Sequence, residues 1–357
     1  MAKKKKSPDF AHRETDKIIS EMEKEISGVY RQAHSEVTAK VNDYFDRFRK
    51  KDETWRKWVA DGTKTEEEYR KWRTGQMMVG KRWEALKDNL SDDYLNAHNI
   101  AESIVNGHMP DVYALNHNYS TYQIESGLGI DTSYTMYSRE TVERLFRENP
   151  KLYKKPGRKT LRDIRDGKIK AWDRKQIQSV MMQGMIQGES IPNLTKRLEA
   201  VTGGDHAAAI RNARTMATGV QNAGRIDAMD RANDMGLNVR KQWLATLDSR
   251  TRHWHRDLDG VIVDVDDPFE NEYGEIMYPG DPDADGANIY NCRCTMLNVL
   301  QNHEIDVTDT DLRYDDNLKK MSYEEWKEGH GVSQPITAQE EKGEAIRMKY
   351  IRAYMGW

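Results

Sequence analysis

The chain has 357 residues, a length that fits two or three domains. Charged residues make up 32% and hydrophobic residues 37%, and 56 basic side chains nearly balance 59 acidic ones. This near-balance excludes a strongly basic nucleic-acid coat protein. The low apolar share predicts solvated helices, extended arms or segments that order against a partner, rather than one large core.

The sequence starts with a short basic arm that comprises Lys3, Lys4, Lys5 and Lys6. One interpretation of this arm is a solvated, unstructured start, and the other is a contact with packaged DNA or an acidic protein surface. The arm lacks the apolar stretch of a signal peptide, and no apolar run approaches the roughly 18 residues that a membrane span needs. We therefore expect a protein that is made and stays soluble in a cytoplasm, with no membrane partner.

Residues 9–50 carry apolar side chains at steps of three or four residues, which predicts one long amphipathic helix. The predicted apolar stripe comprises Ile19, Met22, Ile26, Val29, Ala33, Val37, Val41, Tyr44 and Phe48. Such a helix would be roughly 60 Å long, and its narrow stripe requires a partner helix from this chain or from another copy. Asp61-Gly62 ends the pattern.

Two further helices complete a predicted N-terminal extended helical region, residues 1–110. The first begins near Thr65, whose side chain can cap the amides ahead of three consecutive glutamates. The second covers 92–106 and is predicted to end at Gly107 and Pro110, because both residue types interrupt helices.

Residues 111–170 are interpreted as a connector that ends in a basic linker. The stretch Tyr113–Tyr137 is rich in Tyr, Asn, Ser, Thr and Gly, which favours an ordered loop or an adaptable contact surface. A helix is predicted over 139–148, and the linker over 151–159 marks a domain boundary. Beyond it, helices are predicted over 173–187, from a turn at 188–192 to Val201, and over 205–235, with Gly203-Gly204 between the last two.

Alternating β-branched and apolar residues predict three strands, over 240–247, 261–265 and 294–300. The loop from Asp266 to Asn291 is full of Asp, Pro and Gly. A loop of that length inside a compact unit requires a staple or serves a function.

The predicted fold is α+β and mostly α-helical. It has long N-terminal helices, a helical middle, and a small C-terminal β-containing domain that holds a Cys/His cluster. The segment with the helical middle and this cluster is placed at residues 171–300. Residues 301–357 are predicted to be a polar tail with short helices at 322–328 and 337–354.

Metal binding is the first chemical hypothesis for the C-terminal segment. Cys292 and Cys294 are one residue apart, so a disulfide between them would be strained, and a metal site or free thiols are favoured in a reducing compartment. His255 or His253 can add an imidazole, and Asp248 or a second imidazole a fourth ligand. Thiolates in such a set favour zinc, which would tie the two ends of the long loop together. The alternative is a pair of small buried cysteines beside hydrogen-bonded histidines.

Catalysis is the second hypothesis, in the form of a metal-dependent hydrolase or nuclease that uses the His255/Cys292/Cys294 cluster. An acid/base pair could come from Asp248, His255, Asp257 or Asp259. Ion pairs with Arg250 and Arg252, and a turn at Asp259-Gly260, explain the same carboxylates more simply. We therefore expect a protein that is not an enzyme.

A set of motifs in this segment resembles a known family. In chain order the residues are Arg214-Thr215, Asn222, Arg225, Trp243, Asp248-x-Arg250-Thr251-Arg252-x-x-His255-x-x-Leu258-Asp259-Gly260, Pro279 and Asn291-Cys292-Arg293-Cys294. In order and spacing they resemble the phage head morphogenesis family, also called the Mu F-like minor head protein family. The likeness covers roughly residues 170–300, and 171–300 is accordingly interpreted as a head-morphogenesis domain.

The resemblance implies a low-copy structural protein inside the head of a tailed bacteriophage, near the portal, with several copies per virion. Its implied partners are the portal protein, a scaffold or major capsid protein, and packaged DNA, which links it to head assembly, packaging or ejection. Under the family pattern the metal ligands are His255, Cys292 and Cys294; Asp248 matches the pattern and His253 does not. The remaining motif residues with an expected structural role are Arg250, Arg252, Asp259, Gly260 and Asn291.

Overall fold

A computed structural model describes residues 9–78, 81–148, 175–176, 179–180, 191–301 and 312–331. The basic arm at Lys3–Lys6, the linker at 151–159 and the helix predicted over 337–354 lie outside the described residues. The helix predicted over 173–187 lies mostly outside them. Within the described ranges, none of the helices combines the length and the apolar character that crossing a bilayer requires.

The fold is α+β and mostly helical, as predicted. The helices are α1 (Phe10–Ala60), α2 (Glu66–Met78), α3 (Lys81–Leu128), α4 (Arg139–Glu148), α5 (Ile191–Asp234), α6 (His253–Asp257), α7 (Gly286–Ile289) and α8 (Tyr323–Gly329), with a 3₁₀ turn at Leu318–Lys320. The strands are β1 (Ile130–Asp131), β2 (Val239–Leu244), β3 (Ile262–Asp264), β4 (Phe269–Asn271), β5 (Gly274–Ile276), β6 (Thr295–Leu300) and β7 (Arg313–Tyr314).

The chain divides into two compact units. One comprises Met1–Met22, Val105–Arg158 and Arg211–Trp357, and the other comprises Glu23–Ile104 and Lys159–Ile210. The three long helices α1, α3 and α5 each contribute to both units, and the strands named above belong to the first.

In the second unit, the apolar stripe of α1 is buried. Its fully or nearly buried members are Met22, Ile26, Tyr30, Ala33, Val37, Val41 and Phe45, of which Met22 belongs to the first unit. Tyr30 and Phe45 take the places predicted for Val29 and Tyr44, a shift of one residue at each position. Lys40 of α1 forms an ion pair of 2.6 Å with Asp93 of α3. The partner helix that the narrow stripe requires therefore comes, at this point, from the same chain.

The start of α2 confirms the predicted cap. The Glu68 amide donates to the Thr65 hydroxyl over 3.2 Å, and the Glu68 carboxylate accepts from the Thr65 amide over 2.9 Å. This reciprocal pair satisfies two backbone donors that the first helical turn would otherwise leave open. Trp72 then stacks on Trp55 of α1 with ring centroids 5.1 Å apart.

In the first unit, the predicted stop at Gly107 and Pro110 is wrong, and α3 continues to Leu128. A proline inside a helix removes one backbone hydrogen bond and disturbs the turn before it. Arg139 donates to the Gly107 carbonyl over 2.6 Å, which gives an acceptor near the proline a new partner. The stretch Tyr113–Tyr137 is consequently helical as far as Leu128, and much of it is buried rather than an adaptable loop.

The small sheet has the strand order β3-β2-β6, and both pairings are antiparallel. β2 and β6 pair along their full length, from Val239 opposite Leu300 to Leu244 opposite Thr295. The sheet coincides with the three predicted strands apart from their ends. Trp243 of β2 packs edge-on against Phe269 of β4 with ring centroids 5.2 Å apart, and neither side chain is exposed. Helix α5 runs through Gly203-Gly204 without the predicted interruption.

Gly224 lets α5 lie against α3. A Cβ at this position would approach the Tyr113 carbonyl oxygen to 2.8 Å and the His117 amide nitrogen to 3.3 Å, both of which are backbone atoms. We predict that Gly224→Ala lowers the free energy of unfolding by about 1–3 kcal/mol, because the two helices must separate.

The matched control is Gly107→Ala, in the α3 part of the same unit, where an added Cβ meets nothing within 4 Å. It should raise the free energy of unfolding by roughly 0.5–1 kcal/mol, because alanine favours the helix. Urea denaturation of both variants measures the difference. Equal effects of the two substitutions would contradict the close approach of α3 and α5.

Candidate metal centre

The structure brings His255, Cys292 and Cys294 together. Nδ1 of His255 lies 3.6 Å from the sulfur of Cys292 and 3.6 Å from that of Cys294. All three side chains are at most 2% exposed, and their ligand atoms lie within 4.8 Å of one another. The two cysteines are free thiols. His255 precedes Cys292 by 37 positions and Cys294 by 39 positions in the chain, and the fold brings the three side chains into one buried cluster.

Helix α6 carries His255, and the turn after it holds the helix against β2. The Asp259 carboxylate accepts from the Ala245 amide over 2.8 Å, and the Gly260 amide donates to the Trp243 carbonyl over 2.9 Å. Gly260 has a φ of +83°, a conformation that favours glycine. The Trp243 ring meets the His255 ring edge-on at 5.2 Å, which closes one side of the cluster.

Asp248 is held by an arginine rather than by the cluster. It accepts two hydrogen bonds from Arg293, of 2.5 and 2.8 Å, and a third of 2.9 Å from the Arg250 amide. The Arg293 hydrogen bonds are the main reason that the pKa of the Asp248 carboxyl lies well below its usual range. Because Arg293 stands between the two cysteines in sequence, this pair clamps the loop before α6 to the segment that carries the cysteines and leads into β6.

Two other predicted motif residues, Arg252 and Asn291, make hydrogen bonds that involve backbone groups. Arg252 donates to the Tyr290 carbonyl. The Asn291 amide donates to the Thr215 hydroxyl over 3.1 Å, and Asn291 has a φ of +55°. His253, which the family pattern does not include, is exposed and pairs with Glu272 at 2.9 Å, so the structure does not bring it to the cluster.

One face of α5 positions the cysteine-bearing segment. We call this face the polar stripe; its members are Thr215, Thr218, Asn222 and Arg225. Each bonds to a successive backbone group: Thr215 to the Asn291 amide, Thr218 to the Cys292 carbonyl, Asn222 to the Cys294 carbonyl and Arg225 to the Met296 carbonyl. The stripe therefore fixes the register of both cysteines.

Arg225 also closes a buried ion pair. Its guanidinium donates to the Asp9 carboxylate at 2.5 and 3.2 Å, and to the side-chain oxygen of Asn116 at 3.0 Å. Both members of the pair are 1% exposed. Burial alone would raise the pKa of Asp9, but the charge and hydrogen bonds of Arg225 outweigh it and lower that pKa. Arg225 of α5 thereby joins the residue before α1, the C-terminal part of α3 and β6.

Sequence reasoning missed Thr218 and Asp9. Thr218 has a usable signal, because Thr215, Thr218, Asn222 and Arg225 follow steps of three and four residues and so share a helix face. A buried polar face is easily taken for a solvated one. Asp9 has no local signal, since its partner lies 216 residues away.

The three donor atoms fit three of the four positions around a tetrahedral zinc ion, and within the described residues no fourth His, Cys, Asp or Glu joins them. A tetrahedral zinc ion has bonds of about 2.3 Å to sulfur and about 2.0 Å to nitrogen, which places a sulfur and a nitrogen ligand about 3.5 Å apart. This separation is close to the distances between Nδ1 of His255 and the two cysteine sulfurs. Hydrogen bonding from Cys292, followed by that from His255, lowers the pKa of Cys294, whereas hydrogen bonding with Cys294 and burial raise the pKa of Cys292. A metal ligand must lose its proton, so the protein's own groups favour the thiolate of Cys294 and oppose that of Cys292.

Comparison with known proteins shows which proteins the chain resembles. Residues 175–297 match the family model described as Phage Mu protein F like protein. The Minor head protein GP7 of Bacillus phage SPP1 is 29% identical over 287 residues, which cover 80% of this chain and 84% of GP7. The NAD(+)–arginine ADP-ribosyltransferase EFV of Enterococcus faecalis is 32% identical over 154 residues, or 41% of this chain and 30% of that protein. No solved structure matches the chain significantly.

Fold and site thus define a mostly helical protein whose Mu F-like domain encloses a Cys/His cluster. The similarity to GP7 extends over most of both chains, whereas this chain spans less than a third of the transferase. Residues 175–297 are thus similar to the Mu F-like family, and the chain along most of its length is similar to a phage minor head protein.

Breaking the buried pair tests the role of Arg225. We predict that Arg225→Met lowers the free energy of unfolding by about 3–5 kcal/mol, because Asp9 is left as a buried, unpaired charge. The control is Arg240→Met, which removes an ion pair of 2.5 Å between two more exposed partners, Arg240 and Asp264. That change should cost no more than about 1 kcal/mol. Chemical denaturation measures both, and similar losses would exclude the central role of Arg225.

Proposed function

We propose that this protein is a structural component of a tailed-phage head that docks at the portal and takes part in head assembly. The similarity to GP7 along most of both chains carries this proposal. The portal protein is the proposed principal partner, and a scaffold or major capsid protein a further one. Contact with packaged DNA, and a role in packaging or ejection, would fall to the basic arm at Lys3–Lys6.

We further propose that the Mu F-like domain is stabilised by one structural Zn²⁺, held by His255, Cys292 and Cys294. The ion would supply a permanent link between α6 and the start of β6, so that its binding free energy adds to the stability of the fold. The protein's own groups prepare this link: the polar stripe sets the cysteine register, and the clamp of Asp248 and Arg293 holds the two segments side by side.

A metal-dependent hydrolase is the competing function for the same cluster. Catalytic zinc sites have three protein ligands, the same number as this cluster, and keep the fourth coordination position open to water or substrate. Here the three ligand side chains are at most 2% exposed, which favours a structural role for the ion over a catalytic one.

Metal content and thermal stability test the zinc proposal. We expect about one zinc per purified chain, and a lower melting temperature after treatment with a chelator. Cys292→Ser should lose the metal, whereas His253→Ala, a change two residues from His255 on the same short helix, should retain it. Because a cysteine variant can be unstable for other reasons, cobalt-substituted protein provides a second readout, a thiolate-to-cobalt absorption band. Metal-free protein with an unchanged melting temperature would refute the zinc link.

Purified phage particles test the proposed role in the head. We expect mass spectrometry to recover the protein in several copies per particle and in the head fraction after heads and tails are separated. Co-expression with the portal protein should yield a complex that survives size-exclusion chromatography. The control is the same experiment with the major tail protein in place of the portal protein. A protein missing from particles, or confined to tails, would rule out the assignment.

A further inference from the structure

The outer surface of the domain around the Cys/His cluster contains a groove beside α6 with a volume of about 720 Å³. We call it the acidic groove. Its apolar lining includes Trp254, Leu258, Val261, Val263 and Phe269. Phe269 and Leu258 are buried beneath it, whereas Val261 is 37% exposed. Tyr273 packs against Trp254 at 4.5 Å and is itself 42% exposed, so an aromatic pair stands next to the groove.

Carboxylates surround this apolar lining. Asp257, Asp267, Glu270 and Glu272 line the groove and are all exposed. The segment from 257 to 275 contains eight acidic residues and no Lys or Arg, in a chain whose charges are otherwise nearly balanced. Glu272 is paired with His253. Within the part of the chain that the structure describes, Asp257 and Glu270 have no ion-pair partner.

A short strand edge borders the groove. The sheet order β3-β2-β6 places β3 at the edge, and Val261 and Val263 reach the groove from β3 and the residue before it. An edge strand presents backbone groups that an extended peptide can pair with, while pockets beside it select the side chains.

We propose that the acidic groove binds an extended segment of another protein that carries closely spaced Lys or Arg residues and an apolar side chain. The basic residues would pair with Asp257 and Glu270, and the apolar side chain would rest on the surface formed by Val261 and Phe269. Charge selects this occupant over nucleic acid, because phosphates would be repelled by the same carboxylates. The proposal does not depend on zinc or on portal docking.

Peptide binding to the full-length protein tests this groove. The probe is a fluorescein-labelled ten-residue peptide of alternating Lys and Val, followed by fluorescence anisotropy; a peptide of alternating Glu and Val and a labelled DNA duplex are the comparison probes. We expect the Lys/Val peptide to bind, its affinity to fall with rising salt, and the other two probes to bind much more weakly.

Two matched pairs of variants locate the binding. Glu270→Lys should lower the affinity for the Lys/Val peptide about fivefold or more. Glu328→Lys makes the same charge change on exposed α8 and should alter that affinity less than about twofold. Val261→Asn should weaken binding, and Ile262→Asn should not, although Val261 and Ile262 are equally exposed at 37% and only Val261 lines the groove. Thermal melting checks that each variant is folded.

Three outcomes would overturn the proposal. If Glu270→Lys and Glu328→Lys lose equal affinity for the Lys/Val peptide, binding depends only on the net charge of the protein. If a folded Val261→Asn variant binds the Lys/Val peptide as well as the unchanged protein does, binding depends on surface ion pairs and not on the groove. Binding of the DNA duplex at the same site would assign the surface to nucleic acid instead.

Discussion

The polar stripe of α5 is the constraint from which the rest of the domain around the Cys/His cluster follows. From Thr215 to Arg225 the helix advances ten residues, about 15 Å, and from Asn291 to Met296 the opposing segment advances five residues, about 16 Å if extended. Because the two advances match, each stripe member meets a successive backbone group. In an extended segment a slip of one residue would turn the side chains to the other face, so this register decides whether the cysteines face His255.

The stripe also explains how so polar a chain builds a core. Thr215, Asn222 and Arg225 are buried, and their polar groups are satisfied by backbone carbonyls, by Asn116 and by Asp9. Burying polar groups costs little when they are paired and much when one partner is lost. A low share of apolar residues therefore reflects partly a buried hydrogen-bonded interior, and not only solvated helices.

Local signals in the sequence were sufficient wherever local physics decides the structure. The cap at Thr65, the helix over 139–148 and the three strands of the small sheet were predicted from capping and periodicity. The sequence could not predict that α3 continues past Pro110, because the continuation depends on burial against α5 and on Arg139, 29 residues further on. Cys292, Cys294 and a histidine were enough to predict the cluster. They did not predict the polar stripe of α5, which aligns the two cysteines.

The interior cluster and the exterior groove share one short element. His255 points inward to the cysteines and Trp254, its neighbour, lines the groove, so α6 presents adjacent residues to both. A helix of five residues cannot hold its shape in isolation, and its position must come from contacts at its ends and on its buried face. Here those contacts are the Asp259 turn, the Trp243 ring and the cluster itself. The proposed zinc link inside the domain would therefore help to shape the acidic groove outside it. The zinc ligands would do so without contacting the peptide bound in the groove.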